Sequence, residues 1–356
     1  MTQDVTQRSL SLAKHPPQPD QPIHQQTYAG AVWGKLRRDK LSILAICLLV
    51  FVISISLGAG WIGDNVLGYS PTSTNLRMRN EPPTWANEAW PIVQDFSRGC
   101  QSEAGCNWSL WGSVFSRSWT GLGECLAAGK GQCHWLGTDD AGRDVLTRGI
   151  YGGRISLRIG IYVATISMTL GVVLGLISGY YAATLIDDII NAVIMTLGSI
   201  PLLFLLIILS RIFMPTPEGL ALLIGLFGWM GLSRLVRGQI FSVREREYII
   251  ASQAIGNSAW RIMFKHVMPN VSSIILVSAI FNIAGAILAE AGLSYLGVGI
   301  GPPNPSWGNM MQGSLGNFTN APWQVLTPGF FIFLTTLGIY LLGDGLRDAL
   351  DPWVKD

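Results

Sequence analysis

Charged residues are scarce in this sequence. Asp, Glu, Lys and Arg make up 13% of its 356 residues, whereas soluble domains usually contain about 25%. The formal net charge is only +2. No basic cluster is large enough to form a nucleic-acid-binding surface, so nucleic acid is excluded as a partner.

The motifs of phosphate binding and hydrolytic catalysis are also missing from the sequence. No G-x-x-x-x-G-K-[ST] stretch occurs, which excludes a P-loop for ATP in this chain. Neither G-x-S-x-G nor H-E-x-x-H is found, and no G-x-G-x-x-G opens a helix after a strand. The histidines are scattered over the tail and loops: His15, His24, His134 and His266. We therefore expect no enzyme, no catalytic residues and no bound metal or cofactor in this chain.

In place of charge, the chain contains long apolar runs. Hydrophobic residues make up 49% of it, and several uncharged runs reach the ~20 residues that a helix needs to cross a bilayer. Six spans are predicted, at about 41–60, 160–181, 189–209, 219–233, 271–292 and 326–343. The sequence therefore predicts an all-α, polytopic membrane protein whose surroundings include membrane lipid.

Lys and Arg residues are unevenly distributed among the loops. They lie just before the first span and between the fourth and fifth spans, but the loop before the sixth span has none. Because positively charged loops stay in the cytoplasm, both termini are predicted to be cytoplasmic. The chain then divides into a disordered cytoplasmic tail (1–30), an N-terminal segment with the first span (31–62), an extracytoplasmic insert (63–135) and a core with five spans and a cytoplasmic segment at 237–270 (136–356).

Four cysteines lie in the predicted extracytoplasmic insert, namely Cys100, Cys106, Cys125 and Cys133. An exported segment meets an oxidising environment, so two disulfides are predicted, with three pairings open. A metal site that includes His134 is an alternative, although the spacing lacks the C-x2-C pattern of zinc sites. Free thiols are the other alternative. Cys47 lies in the first span, where a packing role is expected.

Glu290 is the main charged residue within the predicted spans. A carboxylate at membrane depth is a candidate for a transport pathway. Glu290 is also close to the outer end of the fifth span, where it could instead reach water or a partner helix. Both interpretations remain open from the sequence.

The predicted cytoplasmic segment contains two short helices. A helix is expected over 245–255, followed by Gly256 in the left-handed conformation that ends helices. Asn257 or Ser258 can cap a second helix, which Pro269 is expected to end because the residue before a proline avoids helical geometry.

The second of these helices carries an apolar stripe. Trp260, Phe264 and Val267 recur at helical spacing, with Arg261 and Lys265 on an adjacent line. Such a helix can insert into a groove of a partner protein. It can equally lie on the bilayer surface.

At these residues the sequence resembles the EAA loop of permease subunits of bacterial ABC importers, with the pattern E-A-A-x-x-x-G followed by L-P. Ala251, Gly256 and Pro269 match the pattern, whereas Ile250, Ser252 and Met268 replace its Glu, second Ala and Leu. In that family the loop is the coupling helix that docks on an ATPase subunit. The resemblance therefore implies ATPase-coupling roles for Ala251, Ser252, Gly256, Trp260, Arg261, Phe264, Lys265 and Pro269.

Further stretches are similar to the "C" type of the dipeptide, oligopeptide and nickel permease family. They lie at 33–43, 136–144, 288–311 and 343–352, and the second reads LGTDDAGRD. The resemblance implies an extracytoplasmic signature of Gly137, Thr138, Asp139, Gly142, Arg143 and Asp144. Thr138 or Asp139 is expected to cap a helix over 140–158. Arg143 and Asp144 are expected either to form local ion pairs or to contact a binding protein.

The resemblance implies the permease subunit of an ATP-driven importer in a bacterial inner membrane. Its expected partners are a homologous permease forming a heterodimer, two ABC ATPase subunits that bind ATP and Mg, and an extracytoplasmic peptide-binding protein. Peptides are the expected cargo, with nickel or glutathione-like compounds as alternatives. An ion-driven secondary transporter is a remote alternative, because such proteins often show inverted repeats and none is visible here.

Overall fold

The fold is built from helices. The computed structural model describes residues 28–97, 111–127, 129–213 and 216–350, and within these ranges the only strand-like pairing is an isolated bridge between Thr138 and Asp144. The helices of at least eight residues are α1 (Tyr28–Leu36), α2 (Lys40–Leu57), α3 (Trp90–Ser97), α4 (Trp111–Ala127), α5 (Val145–Tyr180), α6 (Leu185–Gly198), α7 (Leu202–Phe213), α8 (Pro217–Arg244), α9 (Glu247–Ala254), α10 (Met268–Tyr295) and α11 (Trp323–Leu350).

Shorter helical turns connect these helices. After α2 come Ala59–Trp61, the π-helical turn Ile62–Leu67 and the 3-10 turns Leu76–Met78 and Thr84–Ala86. Ala259–Arg261 and the π-helical turn Ile262–Val267 lead directly into α10. Trp307–Met311 and the 3-10 turn Ser314–Asn317 lie between α10 and α11.

Five helical stretches are long and apolar enough to span a membrane. These are α2, α5, α8, α11 and the continuous stretch Ala259–Tyr295 that contains α10. Helices α6 and α7 form a sixth span only as a pair bent by 79°. The break falls at Pro201, because proline lacks a backbone donor and disfavours helical geometry in the residue before it. The third predicted span, 189–209, therefore corresponds to a broken helix.

Several spans are longer than predicted from the sequence. The second predicted span is the later part of α5, which begins at Val145 and includes the helix expected before it. The fourth is part of α8, which continues to Arg244 without a break. The charged residues at the start of α5 fall in that expected helix, whereas Arg237 and Arg244 at the end of α8 fall in the predicted cytoplasmic segment 237–270.

Helices α5 and α8 form the centre of the fold. Gly171, Gly175 and Gly179 recur every four residues and so share one face of α5. A Cβ added at any of them would come within 3.0 Å of atoms of α8. The absence of side chains lets the two backbones approach closely, with Val236 and Ile240 fully buried between them.

Helices α2 and α11 pack against the other side of this core. Val52, Ile150, Ile287, Trp307 and Phe331 belong to one buried cluster that joins α2, α5, α10 and α11. The rings of Trp307 and Phe331 stack with their centroids 6.0 Å apart. The short helix Trp307–Met311 is therefore a core element and not a surface turn.

Some predicted features lie outside the described residues. These are most of the tail (1–30), the pair Cys100 and Cys106, and the end of the 343–352 stretch. The last residues of the predicted tail begin α1 at Tyr28.

Candidate functional site

The EAA-like segment, which we define as residues 245–269, contains the left-handed glycine that the sequence predicted. Gly256 has φ +82° and follows α9, and an added Cβ would meet no atom within 4 Å. Backbone conformation alone therefore favours glycine here. Ser258 occupies the cap position of the next helix, but its side chain makes no capping hydrogen bond.

The inner face of the EAA-like segment is firmly packed. Ile249, Ile262, Met263 and Val267 are buried in one cluster with residues of α5, α8 and α10. Ser252 is also buried, and its Oγ accepts a hydrogen bond from Asn257 Nδ2 at 3.0 Å. This packing fixes the segment to the central helices.

The outer face of the segment is apolar and exposed. Trp260 is 59% exposed and Phe264 46% exposed, and their rings stack with centroids 5.4 Å apart. Ile250 and Ile255 are exposed in the same segment. Hydrophobic side chains exposed together in this way mark an interaction surface.

Two details predicted for this segment are wrong. Val267 does not continue the stripe of Trp260 and Phe264, because the π-helical turn Ile262–Val267 changes the angular spacing and rotates Val267 into the core. Pro269 does not end a helix. It lies in the first turn of α10, where its missing N–H is tolerated.

Three residues of the segment with predicted coupling roles, Ala251, Arg261 and Lys265, lie at its surface. Arg261 and Lys265 are exposed, and Arg261 Nη1 donates to Asn257 Oδ1 at 3.2 Å. Ala251, the position that matches the EAA pattern, is exposed on α9. Arg261 and Lys265 directly follow the exposed aromatic residues Trp260 and Phe264 in the sequence.

A second constellation, the signature loop at residues 136–144, is organised around Asp139. Its Oδ1 accepts hydrogen bonds from the backbone N–H groups of Ala141 and Arg143, each at 2.9 Å. Its Oδ2 pairs with Arg143 Nε at 2.7 Å and with Arg148 Nε at 3.3 Å. Asp139 thus closes the loop on itself, and Arg143 forms the local ion pair that was one of its two expected roles.

The helix cap in the signature loop is Asp144. Its Oδ1 accepts from the Thr147 N–H at 2.7 Å, and α5 begins at Val145. The prediction that Thr138 or Asp139 caps a helix over 140–158 is therefore wrong. Within the signature loop no helix begins before Asp144, because Asp139 binds the backbone of its own turn and Gly142 has φ +70°.

Asp144 also holds a buried histidine. Its Oδ2 lies 2.9 Å from His134 Nδ1, and the His134 ring stacks on Tyr69 with centroids 4.4 Å apart. Burial, followed by the charge of Asp144, raises the pKa of Tyr69 to about 12, so its hydroxyl stays protonated at neutral pH. The two ends of the 63–135 region are thereby fixed to the start of α5.

Thr138 joins the signature loop to α11 and to the residues after α2. Its carbonyl accepts from Trp323 Nε1 at 2.9 Å and from Gln324 Nε2 at 3.1 Å. Its hydroxyl oxygen accepts from the Glu81 N–H at 2.9 Å. Gly137 has φ +70°, and a Cβ there would approach the Glu81 carbonyl to 2.6 Å. The signature residues therefore build a packed junction.

Residues 171–356 match the family described as "Binding-protein-dependent transport system inner membrane component". The chain belongs to this family of transport permeases. It is 40% identical over 330 residues to the dipeptide transport system permease protein DppC of Bacillus subtilis, covering 92% of this chain and 87% of that protein.

Two other relatives agree with this assignment. The dipeptide transport system permease protein DppC of Alkalihalophilus pseudofirmus is 42% identical, over 62% of this chain and 73% of the relative. The oligopeptide transport system permease protein OppC of Bacillus subtilis is 39% identical, over 69% of this chain and 81% of the relative. The resemblance to "C"-type permeases is confirmed, and this permease is a multi-pass protein of the bacterial inner membrane.

Glu290 lies in the interior of the permease. It is fully buried on α10, and its carboxylate accepts from Ser156 Oγ at 2.9 Å and from Ser294 Oγ at 2.7 Å. The carboxylate thus contacts a neighbouring helix of the same chain, α5. Its assignment to a transport pathway stays a prediction.

Two of the four insert cysteines are described, and the permease structure brings them together. The Cα atoms of Cys125 and Cys133 lie 5.5 Å apart, a distance that a disulfide can span, and the oxidation of this pair stays a prediction. Cys100 and Cys106 lie outside the described residues. Among the described residues no group of three or more metal-binding side chains is found.

Sequence reasoning missed one polar cluster in the permease. Asp187, at the start of α6, forms an ion pair with Arg237 of α8. The Asp187-Asp188 pair carried no recognisable motif, and its partner lies 50 residues away in the sequence. A periodicity argument can identify a buried face but cannot pair such distant residues.

Proposed function

We propose that this chain is the membrane-spanning permease subunit of an ATP-driven ABC importer for di- or oligopeptides. It acts with a homologous permease, two ABC ATPase subunits and an extracytoplasmic peptide-binding protein. The observation that carries the proposal is the exposed Trp260–Phe264 stack on an otherwise firmly packed EAA-like segment. The names of the relatives, dipeptide and oligopeptide permeases, support peptides as cargo and give no support to nickel.

The EAA-like segment is proposed as the coupling helix. Aromatic side chains that are exposed and held by a packed support are typical anchors of protein interfaces. The buried inner face attaches the segment to α5, α8 and α10. A displacement of the docked ATPase subunit would therefore move the central helices and not only a surface loop.

The proposed topology places both termini and the EAA-like segment in the cytoplasm, with the 63–135 insert and the signature loop outside. The distribution of Lys and Arg among the loops supports it. The signature loop and the insert then form the surface that meets the binding protein. A cavity of about 300 Å³ opens there, lined among others by Asp140, Arg143 and Gln312.

ATP and Mg bind to the partner ATPase subunits in this proposal. The permease sequence contains no P-loop, and its own role is alternating access. Closure of the ATPase subunits moves the coupling helix, and the membrane helices reorient to open the pathway to the other side. Disulfides in the insert, including Cys125–Cys133, would hold the outer surface together in an oxidising compartment.

The test is ATP hydrolysis by the complete complex in proteoliposomes. We expect hydrolysis to be stimulated by the binding protein loaded with peptides, but not by the same preparation with nickel or glutathione. Stimulation by nickel alone would retain the importer architecture and contradict the cargo. Failure of any ATPase subunit to copurify would contradict the importer itself.

A further inference from the structure

One carboxylate fixes the turn between α5 and α6. Asp187 is 2% exposed. Its Oδ1 accepts from Ser178 Oγ at 2.5 Å and from Asn191 Nδ2 at 2.6 Å, and its Oδ2 accepts from the Ala183 N–H at 3.1 Å. Ala183 has φ +63°, an unusual conformation for a residue with a side chain.

The same carboxylate is held by a guanidinium from α8. Arg237 Nε donates to Asp187 Oδ1 at 2.8 Å, and Arg237 Nη2 donates to Oδ2 at 2.7 Å. Two parallel bonds between planar groups fix both the distance and the relative orientation of the partners. Asp187 therefore ties the first turn of α6 to α8.

A second arginine of α8, Arg244, also binds this turn. Arg244 Nη1 donates to the carbonyls of Tyr180 and Ala182, at 3.0 and 3.3 Å. Arg244 is the last residue of α8, and α9 of the EAA-like segment begins at Glu247. The end of α8 is thus bound to the turn immediately before the chain enters the EAA-like segment.

Besides Asp187, the bent pair α6–α7 packs on α8 through a few apolar side chains, because Ile194 and Leu206 each lie in a buried cluster that contains residues of α8. The buried residues of α6 are Asp187 and Ile194, and those of α7 are Leu206 and Ser210. Most other apolar side chains of these two helices are exposed, among them Ile189, Leu203 and Phe204. Within the described part of the chain, Asp187 adds to these apolar contacts the ion pair that joins α6 to α8.

We propose that Asp187 and Arg237 are positioning residues for transport, which transmit movement of the EAA-like segment through α8 to the bent pair α6–α7. This inference rests on the proposed function. The directional ion pair makes α6 follow α8, whereas apolar contacts alone would allow the two helices to slide.

The test compares substitutions of Arg237 in the complete complex in proteoliposomes. Arg237→Gln removes the ion pair, yet Asp187 retains its bonds from Ser178, Ala183 and Asn191, so folding should survive. Arg237→Lys keeps the charge but loses the paired geometry. Arg234→Gln is the matched control, because Arg234 is exposed one turn earlier on the same helix.

The measured quantity is the number of peptides imported per ATP hydrolysed. For Arg237→Gln we expect a decrease of at least about fivefold, which is the lower range of coupling between distant sites. Arg237→Lys should fall between this variant and the wild type, and Arg234→Gln should equal the wild type. The concentration of loaded binding protein that gives half-maximal import should be the same in all four, since the signature loop is unaltered.

Different results would contradict the proposed function and the transmission role of Asp187 and Arg237. A wild-type complex without ATP-dependent peptide uptake would contradict the proposed function. A wild-type complex that imports peptide, with an unchanged ratio in Arg237→Gln, would overturn the transmission role. If the Gln variant does not assemble, an unchanged ratio in Arg237→Lys overturns it.

Discussion

The Glu290 carboxylate accepts a hydrogen bond from the Ser156 hydroxyl at 2.9 Å, across 134 residues of sequence. The Ser156 oxygen in turn accepts from the Trp307 N–H at 3.3 Å, and Trp307 Nε1 donates to the Gly149 carbonyl at 2.8 Å. One buried carboxylate therefore connects α5, α10 and the short helix that contains Trp307. The charged residue Glu290 is therefore accommodated in an otherwise apolar span because its hydrogen bonds join neighbouring helices.

Replacing Glu290 by Ala should destabilise the permease more than replacing it by Gln. The Ala variant leaves the buried hydroxyls of Ser156 and Ser294 without their acceptor, at about 1–3 kcal/mol for each unsatisfied group. The Gln side chain retains a carbonyl acceptor and nearly the same volume. The measurement is the thermal unfolding midpoint of the purified complex in detergent.

The matched control for Glu290 is Leu288→Ala on the same helix, because Leu288 is half exposed whereas Glu290 is fully buried. It should lower the unfolding midpoint less than Glu290→Ala does. Equal midpoints for the wild type and Glu290→Ala would show that the network does not stabilise the fold.

Gly142→Ala should disrupt the junction between the signature loop and the residues after α2. Gly142 has φ +70°, and an added Cβ would overlap the Asn75 carbonyl. The left-handed conformation alone costs a non-glycine residue about 1–3 kcal/mol. We expect faster tryptic cleavage after Arg77 and Arg79, which lie beside this junction.

Gly123→Ala is the control for this experiment. Gly123 lies within α4, and an added Cβ meets no atom within 4 Å. Cleavage at Arg77 and Arg79 should be unchanged in this variant. An unaltered cleavage rate in Gly142→Ala would contradict the tight contact between Gly142 and Asn75.

Truncation of the exposed aromatic pair should weaken ATPase docking without unfolding the permease. A hot-spot residue contributes about 2 kcal/mol or more, so Trp260→Ala or Phe264→Ala should raise the Kd for the ATPase subunit about 30-fold. Titration of the ATPase subunit onto the permease in nanodiscs measures this. Met263→Ala, in the buried face of the same segment, should instead destabilise the fold by about 2–5 kcal/mol.

Leu276→Ala is the control for docking, because Leu276 is exposed on α10 but lies outside the EAA-like segment. Its Kd should equal that of the wild type. Unchanged affinity in both aromatic variants would move the docking surface away from Trp260 and Phe264.

Local features of this chain were predictable from the sequence, and non-local features were not. Gly256 ends α9 as expected, because the left-handed conformation depends on the residue itself. The predicted cap of α5 is wrong because Asp139 and Asp144 are both capping residue types, and Asp139 is engaged by its own loop and by the distant Arg148.

The same distinction accounts for the remaining errors. Pro269 was read as a helix end from its residue type alone, but the preceding π-helical turn lets one helical stretch run from Ala259 to Tyr295. Asp187 and Arg237 meet where the glycines of α5 let α8 approach closely, since a Cβ at Gly179 would come within 3.0 Å of the Arg237 carbonyl. A single sequence shows the glycines but not which helix they face.

The insert cysteines should be oxidised in protein from native membranes. Trypsin cuts after Arg117, Lys130 and Arg143, so a Cys125–Cys133 bond would join the peptides 118–130 and 131–143. When membranes are denatured with an alkylating reagent, Cys47 should be labelled at once, whereas Cys125 and Cys133 should be labelled only after reduction. Labelling of both before reduction would contradict the disulfide. It would also remove one support for an extracytoplasmic insert, because thiols of a cytoplasmic segment stay reduced.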